Sequence, residues 1–263
     1  MPITVPADLR RPTQEEFGRT AYAVVGEAFR IHAELGRFFD EKIYQRELAA
    51  RLPDARAEVP IEVAFADFTM VYYFDLLVAD GSIFELKTVQ TIHARHRAQL
   101  LHYLLLTEVP RGKLINFRSE SVEHEFVNTT LRHCDRRKFR IADDGWTAHR
   151  EVRGLIVDVL RDWGTGLDVN LYTDMLTHFL GGEEYVFSDV DIVVDGWPRG
   201  VQKMRLLEPR IAFKISALAQ KQMPKFEEHL RRFLRHTALD ALQWINITRD
   251  IVTFKTLEKG QED

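Results

Sequence analysis

The chain reads as an α/β protein built from two tandem lobes, each a mixed central sheet flanked by helices. Two observations carry that reading. Apolar residues alternate between helical spacing and strand spacing along the whole chain. The two halves also match one another, in order, at an offset of 128 to 130 residues. A composition of 45% hydrophobic and 29% charged residues over 263 positions suffices for an ordinary globular core.

In the first half the patterns predict helices near 16–35, 40–52 and 93–107, and strands near 58–66, 69–78, 82–88, 112–117 and 121–128. The second half repeats this order from about Trp146 to Lys255. At offset 128, Gly36, Asp40, Tyr44, Leu48 and Leu52 recur as Gly164, Asp168, Tyr172, Leu176 and Leu180. At offset 129, Ile61–Phe65 faces Val190–Val194 and Phe84 falls on Phe213; at offset 130, Leu100, Leu104, Thr107, Ile115 and Asn116 meet Leu230, Leu234, Thr237, Ile245 and Asn246. Charged residues and the Asp143-Asp144-Gly145 turn place the boundary in Arg132–Trp146, giving lobes of residues 1–131 and 146–263. No low-complexity linker separates them, so the lobes are expected to pack as a pseudo-dimer.

The net charge of −4 carries no basic excess, so any nucleic-acid contact must be local. The basic run Arg132–Arg140 is one candidate for phosphate contact. A single cysteine, Cys134, excludes an intramolecular disulfide and a thiolate zinc site, and fits a reducing cytoplasm. Neither a signal-peptide core nor an apolar run of membrane-spanning length occurs, so no membrane partner is expected.

Chemistry concentrates in Tyr72–Val78 and Ser82–Lys87, two apolar segments joined by Ala79-Asp80-Gly81, whose Asp-Gly pair signals an antiparallel hairpin. Asp75 and Glu85 can then lie opposite one another, while Glu85 and Lys87 point the same way. Two carboxylates suit a hard divalent cation, and a neighbouring ammonium suits a charged phosphate. Glu41, Tyr44, Leu48 and Leu52 form one helical stripe that should face the sheet, where a carboxylate needs a partner. Gln99 and Tyr103 share a face of the next helix. His93 and His96 open that helix; histidines there are more often structural or exposed.

With these motifs in order, the first half resembles the GxxExxY proteins, a branch of the PD-(D/E)xK nuclease superfamily close to the RecB-like group. Leu35–Tyr44 carries the helical signature, with Glu41 and Tyr44 in place and Phe38 where the glycine stands. Phe74-Asp75-Leu76-Leu77-Val78, Glu85-Leu86-Lys87, Gln99–Tyr103 and Leu114-Ile115-Asn116-Phe117 follow, so the resemblance covers roughly residues 20–128. It implies a restriction-endonuclease-like fold in both lobes and a nuclease using Mg²⁺ or Mn²⁺, acting on nucleic acid, DNA before RNA. It further implies Asp75, Glu85, Glu41 and the Leu86 carbonyl as metal ligands, Lys87 as charge stabiliser, and Gln99 and Tyr103 holding phosphate or Lys87. The competing reading is a non-catalytic module for nucleic acid or protein on the same scaffold.

Carried through the offsets, Glu41, Asp75, Glu85 and Lys87 become Val169, Met204, Lys214 and Ser216, and Gln99 and Tyr103 become His229 and Phe233. The second lobe is therefore expected to be a degenerate copy without a site. It could replace a second subunit, extend a nucleic-acid groove through the cations of Glu227–His236, or bind a protein partner. Trp163, Trp197 and Trp244 read as core.

Overall fold

A computed structural model describes residues 3–5, 8–147 and 149–260. Two compact units follow one another in sequence, Met1–His133 and Cys134–Asp263.

The first unit runs β1 (Ile3–Thr4), α1 (Gln14–Leu35), α2 (Glu41–Arg51), β2 (Ala55–Phe65), β3 (Phe68–Val78), β4 (Ser82–Lys87), α3 (Ala94–Thr107), β5 (Arg111–Asn116) and β6 (Glu123–Asn128). Its sheet has the order β1-β2-β3-β4-β5-β6. Strands β4 and β5 are parallel and every other neighbouring pair is antiparallel, so α3 serves as the crossover that a parallel pair requires.

Helix α1 begins with a reciprocal cap: Thr13 Oγ1 accepts from Glu16 N–H at 3.2 Å, and the Glu16 carboxylate accepts from Thr13 N–H at 2.7 Å. Its buried residues Phe17, Ala21, Val24, Ala28 and Ile31 form one apolar stripe. That stripe joins a core with Leu76, Phe84, Leu86 and Ile115 of the sheet and with Tyr44 and Leu48 of α2. Helix α2 is only weakly amphipathic, and its buried tyrosine does much to hold it in place. Tyr44 Oη donates to the Gly36 carbonyl at 2.7 Å and accepts from Phe39 N–H at 3.2 Å, while its ring stacks on Phe117 at 4.3 Å between centroids. This ties the start of α2, where Glu41 sits, to the end of α1.

The β3–β4 turn forms as an Asp-Gly pair leads one to expect, but the left-handed residues are Ala79 (φ +50°) and Asp80 (φ +54°). Gly81 is required for a different reason: a Cβ there would lie 2.5 Å from the Arg10 carbonyl oxygen. The chain ahead of α1 crosses this turn, with Arg10 N–H donating to the Asp80 carbonyl at 2.7 Å.

The second unit contains most of the helical turn α4 (His133–Arg136), then β7 (Arg140–Asp144), α5 (Arg150–Trp163), α6 (Val169–Phe179), α7 (Glu183–Val186), β8 (Phe187–Val194), β9 (Trp197–Glu208), β10 (Ile211–Ser216), α8 (Met223–Arg235), β11 (Ala241–Ile247) and β12 (Ile251–Glu258). Its sheet order is β7-β12-β11-β10-β9-β8. The pairings of β8 through β12 run antiparallel, antiparallel, parallel, antiparallel, as do those of β2 through β6. Each unit is thus a six-stranded mixed sheet flanked by helices.

Local devices recur as well. Tyr172 Oη donates to the Gly164 carbonyl at 2.6 Å, matching Tyr44 and Gly36 at offset 128. Asn116 exchanges two hydrogen bonds with the Val89 backbone at 2.8 and 3.0 Å, and Asn246 does the same with Leu218 at 2.9 and 2.7 Å. Losing the hydroxyl in Tyr44→Phe or Tyr172→Phe leaves a half-buried carbonyl at Gly36, or a buried one at Gly164, without that donor. Each variant is expected to lose about 1–2 kcal/mol in urea unfolding, and an unchanged midpoint would show that the bond adds nothing net.

The division between the two units, after His133, lies in Arg132–Trp146, and that interval supplies α4 and the strand β7, which pairs parallel to β12. Two expectations are corrected. The basic run there does not offer all its cations, because Arg136 is buried, donates to the Thr165 carbonyl at 3.0 Å and leaves no room for a Cβ on Gly164, 2.7 Å from Arg136 Cβ. Trp163 and Trp244 are core, but Trp197 opens β9 directly after the Gly196 turn and is 69% exposed.

Candidate active site

Strands β3 and β4 pair from Val78↔Ser82 to Leu76↔Phe84, and there the ladder stops. Beyond that point the Asp75 side chain replaces a backbone acceptor: Oδ2 accepts from Leu86 N–H at 2.7 Å. Gln45 of α2 steadies Asp75 from the other side, its amide donating to the Asp75 carbonyl at 2.8 Å and reaching Oδ1 at 3.5 Å. Alternation along β4 puts Glu85 and Lys87 on one face, both buried. The Lys87 ammonium then collects three carboxylates: Glu85 at 2.8 Å, Glu41 at 3.7 Å and Asp75 at 4.0 Å.

Burial, with Asp75 close by, pushes the Glu85 carboxyl up to about 8. Asp75 is raised chiefly by burial, against the Leu86 N–H and Lys87, which favour its charged form. Glu41 is raised by burial too, although Lys87 opposes the shift and the Thr88 backbone hydrogen-bonds its carboxylate. For Lys87 burial works downward, but the carboxylates outweigh it, so the amine is held above its ordinary value and stays protonated at neutral pH. One further feature marks the cluster: Glu85 Oε2 is buried without a hydrogen-bond partner among the described residues.

The carboxylates converge on the ammonium itself rather than on a separate point beside it. Among the described residues no three His, Cys, Asp or Glu side chains already stand in metal-ligand geometry. The donor set nonetheless suits a hard divalent cation: oxygen ligands, more negative than positive charge, and a buried oxygen left over. Gln99 and Tyr103 lie on α3 as expected, but Gln99 Nε2 donates to Tyr103 Oη at 3.1 Å and does not hold Lys87. Gln45 escaped the sequence reading, although it lies four residues after Glu41 and so on the same helical face. His96 is buried, its Nδ1 accepting from His93 N–H at 3.0 Å and its Nε2 meeting Arg95 Nε at 3.1 Å, in keeping with a structural histidine.

In the second unit the equivalent positions hold different chemistry. The register Glu85↔Leu114 has its counterpart in Lys214↔Trp244. Lys214 is exposed, whereas Ser216 is buried, accepting from Trp244 Nε1–H and donating to Asn246 Oδ1, both at 2.8 Å. Met204 packs against the same apolar cluster as Trp244. No helix among the described residues is long and apolar enough to cross a membrane.

Residues 18–129 match the PD-(D/E)XK nuclease superfamily, a segment that contains Glu41, Asp75, Glu85 and Lys87. No curated protein matches the chain. A solved structure described as the crystal structure of SSO0001 is similar at 19% sequence identity over 46% of this chain and 60% of that one, with a TM-score of 0.29, too low to bear on the fold.

Proposed function

We propose that the chain is a metal-dependent nuclease that hydrolyses phosphodiester bonds in DNA, with its single active site in the first unit. The observation that carries this reading is the gathering of Glu41, Asp75 and Glu85 around one buried ammonium, with a carboxylate oxygen left unpartnered. The superfamily match over residues 18–129 supports it. Glu41, Asp75, Glu85 and the Leu86 carbonyl would hold Mg²⁺ or Mn²⁺. When bound, such an ion supplies Lewis-acid polarisation of the phosphate and activation of water.

The protein's own groups have definable tasks. Leu86 N–H and Gln45 fix the orientation of Asp75 before substrate arrives. Lys87, protonated and shielded from bulk water, can place its charge where negative charge develops on the phosphate oxygens. Gln99 and Tyr103 form a coupled donor pair on α3 that can turn toward a phosphate.

We read the second unit as a degenerate GxxExxY-type copy that keeps the scaffold without the chemistry. Its strand pairings, its tyrosine and asparagine devices and the loss of all four site residues support this. So does an inverted ion pair: Arg97 meets Glu125 at 2.6 Å, while at offset 130 Glu227 meets Lys255 at 2.7 Å with the signs exchanged. Retention of place with reversal of sign is what two copies diverging under one geometric constraint produce. The basic face of α8, or the exposed Trp197, can serve a nucleic-acid or protein partner.

The test is cleavage of single-stranded DNA, double-stranded DNA and RNA with Mn²⁺, comparing wild type with Asp75→Ala. Loss of all cleavage in the variant, and in wild type with chelator, supports one metal-dependent site per chain. Equal activity in both proteins sinks the assignment.

A further inference from the structure

The two sheets differ at one edge. In the second unit β12 is not the last strand: β7 lies parallel to it from Ile251↔Arg140 to Lys255↔Asp144, and Arg140 N–H donates to the Asp250 carbonyl at 2.9 Å. In the first unit the strand in the place of β12 is β6, and among the described residues the sheet ends there. Its outer edge is able to pair. Strands β5 and β6 keep an unbroken register from Arg111↔Asn128 to Asn116↔Glu123, and Glu123–Asn128 contains no proline. Thr129 N–H points inward, to the Pro110 carbonyl at 2.9 Å, so alternation turns the N–H and C=O groups of His124 and Phe126 outward.

Two ion pairs clamp β7, one on each face of the sheet. On the α5 side Arg153 donates to the Asp143 carboxylate at 2.8 and 2.7 Å; on the other side the Lys255 ammonium meets Asp144 at 2.8 Å. The offsets of 128 and 130 carry both clamps into the first unit with their chemistry changed: Arg153 becomes Val25 and Lys255 becomes Glu125. Val25 stands on α1 between Tyr22 and Phe29, which are 86% and 42% exposed, and the Phe29 ring lies 6.4 Å from that of His124. Phe126, 51% exposed, continues this apolar ledge along β6. On the opposite face Glu125 is held by Arg97 of α3. Lys255 shows that a residue in this place serves two partners at once, Glu227 on its own unit's helix α8 and Asp144 on the added strand.

We propose that the edge of β6 accepts an extended segment of a partner protein, parallel to β6 as β7 is to β12, with an apolar side chain beside Val25 and Phe29 and a lysine or arginine beside Glu125. Backbone hydrogen bonds to His124 and Phe126 hold such a segment, and the two faces select alternating apolar and basic residues. The β6 strand of a second copy brings the carboxylates Glu123 and Glu125 to the face where a cation is needed. Docking of this kind is independent of cleavage by the first unit.

The test uses the whole chain and a synthetic peptide, Thr-Thr-Arg-Ile-Ala-Val-Lys-Thr-Thr, in which valine and lysine stand where β7 has Asp143 and Asp144; the control peptide keeps both aspartates. Binding is measured by fluorescence anisotropy, amide hydrogen exchange is followed at His124 and Phe126, and sedimentation reports the oligomeric state. The valine–lysine peptide is expected to bind about tenfold tighter than the control and to slow exchange at both amides. His124→Pro removes one outward donor at an edge position where proline is tolerated, and is expected to lose the peptide. Glu125→Gln is expected to bring the two peptides to within about threefold of one another. Equal binding of the two peptides by wild type, binding of neither, or a preference unchanged in Glu125→Gln overturns the proposal. So does a stable dimer in which both amides are already protected without peptide, because a second copy then occupies the edge.

Discussion

Lys87→Ala is expected to reduce metal-dependent DNA cleavage by about 10²–10³-fold, the usual loss when one preorganised charge stabiliser is removed. Among the described residues, the ammonium pairs with all three carboxylates, at 2.8, 3.7 and 4.0 Å. Its removal therefore has a second consequence. Buried carboxylates lose their partner, which costs on the order of 3–5 kcal/mol when the acids are charged. Activity loss through chemistry must be separated from loss through unfolding. The double variant Lys87→Ala/Glu85→Gln removes the partner and one of the buried charges together, and is expected to recover stability but not cleavage. Rates are compared per folded molecule, with folding followed by circular dichroism. A folded Lys87→Ala protein that cuts at the wild-type rate removes the lysine from the chemistry.

The second large effect is on stability against pH in the absence of metal. The Glu85 carboxyl has its proton-release point raised from 4.5 to about 8, mainly by burial and then by Asp75. Between these values the folded chain keeps a proton that the unfolded chain releases, so the folded state binds more protons and stability falls as pH rises. The decline begins near pH 4.5 and is complete above about 8. Asp75 and Glu41 are raised as well and act in the same direction. The thermal midpoint of the metal-free protein is expected to drop across this window, and Glu85→Gln is expected to flatten much of the drop. Mg²⁺ or Mn²⁺ is expected to raise the midpoint more at pH 8 than at pH 5, because the cation competes with protons for the same oxygens. A midpoint independent of pH in wild type, or a metal effect that survives Glu85→Gln undiminished, contradicts this account of the cluster.

Much of the fold was legible because periodicity is a local property. The α1 stripe Phe17, Ala21, Val24, Ala28, Ile31 and the fully buried β4 run Ser82–Lys87 announce themselves in sequence, and the helices and strands of the first unit formed close to their expected limits. What periodicity could not show was how side chains meet across elements. Arg136 belongs to the basic run that the sequence offers for phosphate contact, yet its burial follows from Gly164 and Thr165, almost thirty residues away. Trp197 looked like core from its strand pattern, but the start of β9 extends past its pairing with β10, which begins only near Leu206, so the tryptophan has no layer to pack against. Gln45 and His96 are unremarkable polar residues on helices until the partners that the fold brings to them are known.

Sequence by itself determined which residue types stand where: the hairpin bearing Asp75 and Glu85-Leu86-Lys87, the helix bearing Glu41, and the different residues at their counterparts Val169, Met204, Lys214 and Ser216. Alternation and helical spacing are enough for that, since they depend on neighbours a few positions apart. Only the tertiary structure decided that the carboxylates close on the ammonium rather than on a point beside it, that Asp75 takes the place of a strand acceptor for Leu86, and that Gln45 donates to the Asp75 carbonyl. Distances of this kind depend on where the β3–β4 ladder ends and on how Tyr44 anchors α2 to the end of α1, and those are contacts between residues far apart in the chain.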